Sequence, residues 1–95
     1  MRILPITDKQ VPYAESIRDA LAAKGLRAGI DASADKLGAK IRAGTVEKVP
    51  YLLVAGGRDE AAGVVSVRRR GEGDLGAMKL EAFIERVDEE LKNKQ

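Results

Sequence analysis

The stretch Tyr51-Leu52-Leu53-Val54-Ala55 is a continuous apolar run, with Pro50 before it and Gly56-Gly57 after it. Its five residues show no polar alternation, so the run reads as a strand covered on both faces, of the kind found at the centre of a parallel sheet. Such a strand requires layers above and below it, and the flanking sequence supplies candidates for both. Upstream, Ile3, Leu4 and Ile6 form a short apolar run ended by Thr7-Asp8, which reads as a buried strand meeting a helix start. Two start signals compete there. Thr7-Asp8-Lys9-Gln10 has the spacing of a capping box, and Pro12 is best placed in a first turn, where its missing N–H costs little. Ala14, Ile17 and Leu21 then recur at helical spacing and Gly25 closes the segment, predicting a helix over residues 10–24. Residues 26–31 follow as a second strand, and a strand-helix-strand unit implies a right-handed crossover and a parallel pair.

Residues 36–48 read as a helix stopped by Pro50, with Leu37, Ile41 and Val46 inward and Lys36 and Lys40 one turn apart on another face. Gly38 and Gly44 weaken it by about 1 kcal/mol each relative to alanine, which points to close approach by another backbone or a ligand. Downstream of the central run, Gly56-Gly57 is read as a plain turn, because no Lys-Ser/Thr follows to make a phosphate loop. Residues 64–70 form a β-rich strand, Val64-Val65-Ser66-Val67-Arg68-Arg69-Arg70. Its period of two places Arg68 and Arg70 on one face, roughly 7 Å apart, close to the spacing of successive phosphates on an extended strand. Residues 74–78 add a short strand or turn. Leu80, Phe83, Ile84, Val87 and Leu91 give the clearest amphipathic pattern in the chain, a final helix apolar on one side and acidic on the other. With no repeat, linker or low-complexity tract, the chain is a single domain over residues 1–95, of α/β class with a mixed sheet.

Charge is unevenly spread. Residues 36–70 carry eight cations against three anions, residues 1–35 balance at five each, and residues 71–95 hold four cations against seven anions. The basic residues of the middle third fall in two groups that a fold could bring together, and a local cationic surface is what a phosphate backbone recognises. The chain has neither cysteine nor histidine, which removes zinc clusters, thiol nucleophiles, imidazole bases and disulfides. No carboxylate pair stands out as an acid/base couple. No run approaches the length of a membrane helix and no signal peptide is evident, so a cytoplasmic location without membrane contact is the expectation. Tyr13, Tyr51 and Phe83 are the only aromatics, too few for a stacking platform, so recognition of nucleic acid would rest on charge and hydrogen bonding.

Several segments together are similar to a known family. Asp31-Ala-Ser-Ala-Asp-Lys-Leu-Gly-Ala-Lys-Ile-Arg42, Lys48-Val-Pro-Tyr-Leu-Leu-Val54, Gly63-Val-Val-Ser-Val-Arg-Arg-Arg70 and Gly73-Asp-Leu-Gly76 resemble the C-terminal anticodon-binding domain of bacterial threonyl-tRNA synthetase. Leu4-Pro-Ile-Thr-Asp-Lys-Gln10 and Tyr13-Ala14 fit the same family, and the resemblance spans essentially the whole chain. It implies a three-layer α/β/α arrangement, a mixed five-stranded sheet with about three helices, appended to a class II catalytic core that this chain lacks. The domain itself would be non-catalytic and hold no cofactor. ATP, magnesium and zinc would serve the catalytic domain, which would ligate threonine to its tRNA. Implied partners are the anticodon stem-loop of threonine tRNA and that catalytic domain, with the isolated domain monomeric.

On the same resemblance, Arg70 occupies the position of a base-reading arginine, whose fork can address a guanine edge in a bidentate way. Arg68, Lys36, Lys40 and Arg42 are assigned to positioning the RNA backbone or supporting the site. Two positions depart from the family pattern. Ala61 stands where many members have glutamate, leaving Asp59 or Glu60 to substitute. Ala34 stands where many have asparagine, leaving Ser33 or Asp35 to compensate, so Asp35 joins the candidate set. An alternative from another class is a stand-alone protein-interaction or regulatory module that reuses the fold, suggested by the short length, the initial methionine and those two alanines.

Overall fold

The computed structural model describes residues 1–33 and 35–93. Five strands, β1 (Arg2–Pro5), β2 (Gly29–Ile30), β3 (Tyr51–Ala55), β4 (Val64–Arg69) and β5 (Gly73–Lys79), form one sheet in the order β2-β1-β3-β4-β5. The first three run parallel and the last two are added antiparallel, so the sheet is mixed. Four helices pack with it: α1 (Val11–Ala23), α2 (Leu37–Val46), α3 (Gly57–Ala62) and α4 (Leu80–Asn93).

β3 lies at the centre and every one of its residues is buried. Alternation along the strand divides those residues between two cores. Tyr51, Leu53 and Ala55 join Ile3, Val65 and Val67 against Ala14, Ile17 and Leu21 of α1 and Phe83 and Val87 of α4. Leu52 and Val54 join Leu4 on the other face, where Leu37 and Ile41 of α2 and Val49 pack against them. The result is the three-layer architecture the family resemblance implies, with β1 and β3 both contributing side chains to the two cores.

Both start signals of the first helix are used, in succession. The Thr7–Gln10 capping box closes a single 3-10 turn over Asp8–Gln10, and α1 continues from Val11 with Pro12 in its first turn. The second strand is shorter than residues 26–31, because only Gly29–Ile30 pair with β1. The double glycine is not a plain turn. Gly56 caps α3, a helix absent from the sequence reading, and Asp59 accepts the Gly56 N–H at 2.9 Å. The inward assignment of Leu91 and the departure at Ala34 lie outside the described side chains and residues.

α2 corrects two placements. Val46 is 74% exposed, and the stripe facing the sheet is Leu37, Lys40, Ile41 and Gly44. Lys40 is therefore not on the helix surface; it is 3% exposed and its ammonium donates to the Pro5 carbonyl at 3.0 Å. The reason is spacing: position 40 falls on the i, i+3, i+4, i+7 face, and the charged head is satisfied by the carbonyl at the end of β1. Gly44 lies against Leu52, where an added Cβ would come within 2.6 Å of a Leu52 methyl, so the glycine serves helix–sheet packing.

Two outcomes follow for stability. Lys40→Ala is expected to lower unfolding free energy by about 2–4 kcal/mol through a lost stem and an orphaned carbonyl, measured by urea denaturation; a surface lysine would change it little. The Glu47 carboxyl is held below its ordinary value by the hydrogen bond from Arg2, and that of Asp31 chiefly by the hydrogen bond from Ser33. A depressed carboxylate stabilises above its unfolded value and loses that contribution as pH falls through the folded one. Glu47→Gln is accordingly expected to flatten part of the acid-side fall in the urea midpoint between neutral pH and pH ~3, while parallel profiles would exclude that role.

Candidate nucleic-acid interface

Strand polarity fixes where each candidate residue lies. β1 and β3 run in register from Arg2↔Leu52 to Pro5↔Ala55, so Pro5, Ala55 and residues 31–33 and 35 after β2 share one edge of the sheet. β4 runs the other way, pairing Arg69 with Tyr51, so residues 68–70 arrive at the opposite edge. Five residues of strand separate the two edges, about 17 Å. The two basic groups are thus not gathered into one spot.

They are instead distributed along one side of the molecule. Arg68 pairs with Leu52, and Leu52 and Val54 face α2, so Arg68 points to the α2 side. Arg42 is exposed on α2 and Lys36 is exposed at its start. At the far edge a cleft of about 220 Å³ opens between Thr45, Val49 and Leu52 on one wall and Arg68, Arg69, Arg70, Gly71 and Gly73 on the other. Arg70 is exposed, its backbone N–H bonds to the Pro50 carbonyl at 2.9 Å, and one guanidinium nitrogen donates to the Lys48 carbonyl at 3.3 Å. Lys48 is the one non-glycine among the described residues with a positive φ, 59°. That left-handed conformation costs roughly 1–2 kcal/mol and turns the carbonyl at the end of α2 toward Arg70. The remaining guanidinium N–H groups have no acceptor among the described residues, which leaves a fork available to a base edge.

Arg69 also borders this cleft, but its guanidinium is directed elsewhere. It shares the odd parity of Val65 and Val67 and lies on the α4 side, 2.7 Å from Glu90 and 3.3 Å from Glu72. Of three consecutive arginines, two therefore face the cleft side and one is neutralised behind the sheet. Glu72 and Glu90 were missed by the sequence reading; the alternation of β4 could have placed Arg69 on the α4 side but does not name its partners.

At the first edge a cleft of about 260 Å³ is lined by Pro5, Thr7, Asp8, Ser33, Asp35 and the buried Lys40, among others. Asp35 is exposed there, with its carboxylate 3.5 Å from the Ser33 hydroxyl. Of the carboxylates able to stand in at Ala61, Asp59 is already engaged: its two oxygens accept from the Gly56 N–H at 2.9 Å and the Ser66 hydroxyl at 3.0 Å. Glu60 is exposed beside it and is the available one. The Tyr13 hydroxyl, which donates to the Val64 carbonyl at 2.7 Å, is pushed up by burial and by the neighbouring charges of Asp59 and Glu60, and acts as a latch between α1 and β4.

Comparison with known proteins agrees with this geometry. The family model described as an anticodon binding domain matches residues 1–90. The chain is 45% identical over 95 residues to the threonine–tRNA ligase of Acetivibrio thermocellus, covering 100% of this chain and 15% of that protein. It is 46% identical over 94 residues to the threonine–tRNA ligase of Syntrophomonas wolfei, covering 99% and 15%. The chain thus spans about 15% of the length of these curated relatives. Among solved structures, the RNA binding domain of threonyl-tRNA synthetase from Cryptosporidium parvum superposes with a TM-score of 0.86 at 27% identity, over 93% of this chain and 22% of that one. Prolyl-tRNA synthetase from the same organism gives 0.83 at 20% identity, over 96% and 20%, a likeness of fold. Nothing in these likenesses favours a stand-alone interaction module. Sequence, sheet topology and the cationic α2 side together place the chain in the anticodon-binding domain family of the aminoacyl-tRNA synthetases.

Proposed function

We propose that this chain reads the anticodon stem-loop of threonine tRNA as one domain of a threonine–tRNA ligase, and that the ligation of threonine with ATP belongs to a catalytic domain outside it. The observation that carries the reading is the Arg70 guanidinium, exposed at a cleft with one nitrogen engaged by the Lys48 carbonyl. Arg70 addresses a base edge as a bidentate donor. Arg68, Arg42 and Lys36 contact phosphates along the α2 side and set the register of the loop. Asp35 accepts hydrogen bonds from bases or riboses at the opposite edge, about 17 Å away, a distance that a few unstacked nucleotides span. Lys40 supports the site from beneath, by fixing α2 to β1. ATP, magnesium and zinc serve the catalytic domain, the 95-residue chain alone is a monomer, and the ligase works in the cytoplasm. No described helix is long and apolar enough to cross a membrane.

Binding of the 95-residue chain to a fluorescent anticodon stem-loop is expected to weaken steeply with salt, in proportion to the phosphates neutralised. Arg70→Ala should cost about 1–3 kcal/mol with the threonine anticodon and much less with an exchanged one, read by anisotropy titration. Arg69→Ala should leave the salt slope unchanged, whereas Arg68→Ala should reduce it by about one contact. Equal losses on both anticodons in Arg70→Ala would remove the base-reading role.

A further inference from the structure

The turn that presents Arg70 contains two glycines, on either side of Glu72. Gly71 and Gly73 take φ angles of +86° and +82°, and glycine surrenders more backbone freedom on ordering than any other residue. Two backbone hydrogen bonds restrain the turn, Arg70 N–H to the Pro50 carbonyl and Glu72 N–H to the Arg69 carbonyl. Glu72, between the two glycines, adds a side-chain connection. One of its oxygens lies 3.3 Å from Arg69 and the other 3.9 Å from Arg86 of α4. Arg69 is in turn 2.7 Å from one oxygen of Glu90, whose other oxygen accepts the Tyr51 hydroxyl at 2.6 Å. The Arg69 guanidinium also lies over the Tyr51 ring, 5.6 Å from its centre, and Tyr51 meets Phe83 edge-on at 5.2 Å. Arg86 and Glu90 stand one helical turn apart on α4.

We infer that Glu72, Arg69, Glu90, Arg86 and Tyr51 are a positioning network that clamps the 70–73 turn to α4 and β3, so that Arg70 meets the RNA already ordered. A partly exposed ion pair alone contributes little. Here two carboxylates are shared among two guanidiniums and a phenol, and a shared network holds geometry better than separate pairs. Ordering a glycine-flanked turn before binding removes an entropic cost from binding itself. The role of the clamp in recognition rests on Arg70 being the base reader; its effect on the turn does not.

The test uses the 15N-labelled 95-residue chain with Glu72→Gln and, separately, Glu90→Gln. Heteronuclear NOEs at the amides of residues 70–73 are recorded without RNA, followed by anisotropy titration with the threonine anticodon stem-loop. Both variants are expected to lower the turn NOEs and to weaken stem-loop binding about three- to tenfold. Because Glu72 is on an exposed turn, its variant should shift the thermal midpoint by no more than about 2 °C. Glu72→Asp should restore most of the affinity, which a merely structural contribution would not require. Unchanged NOEs in both variants overturn the clamp. So does a mobile turn with full affinity, provided Arg70→Ala does lose affinity. If Arg70→Ala leaves anticodon discrimination intact, the base-reading proposal falls by itself, and the NOEs alone then decide the clamp.

Discussion

Burial of β3 on both faces is the constraint on which the rest of this structure depends. A five-residue strand with no polar position must be covered twice, and here α1 and α4 cover one face while α2 covers the other. Once that is settled, the period of two in the neighbouring strand β4 has no freedom left. Val65 and Val67 must face the α1/α4 core, so Arg68 must face the α2 side and Arg69 the α4 side. The three adjacent arginines acquire different surroundings because of a packing requirement set in the neighbouring strand.

The same constraint sorts charge over the whole chain. The acidic helix α4 takes the α1 side, where Glu90 neutralises Arg69. The α2 side keeps Lys36, Arg42, Arg68 and Arg70 with no ion pair among the described residues. A net charge of +2 is therefore a poor description of what an approaching polyanion meets. Within the basic segment Lys40, like Arg69, is withdrawn from that surface, though for a different reason. It lies on the inward face of α2 and bonds to the Pro5 carbonyl, so its charge contributes to the joint between α2 and β1 and only indirectly to the surface.

Much of this was legible in the sequence wherever burial dictated pattern. The β3 run, the helical spacing of Ala14, Ile17 and Leu21, and the stripe of Phe83 and Val87 on α4 all reappear as core. Legibility failed where a residue type contradicted its position. Lys40 occupied an inward register, and its charge argued for the surface when the spacing argued for the core. Gly56-Gly57 looked like a turn because α3 buries none of its six residues and is held by Asp59 at its cap, leaving no apolar stripe to detect. Val46 had the hydrophobicity of a core residue but fell two positions beyond the stripe ending at Gly44. The link between Glu72 and Glu90 spans a turn, a strand and a helix, and no local pattern encodes it. Family resemblance supplied what pattern alone did not, the choice of Arg70 over its two neighbours.

The side of the sheet proposed to meet the RNA is the α2 side. The most direct measurement is a map of backbone amide shifts during titration of the 95-residue chain with the threonine anticodon stem-loop at low salt. Perturbations are expected at Lys36, Arg42, Arg68 and residues 70–73, with the amides of residues 81–90 on α4 unmoved apart from those in the network around Glu72. Perturbations concentrated on α1 and the acidic face of α4, with the 68–73 amides silent, would contradict this assignment.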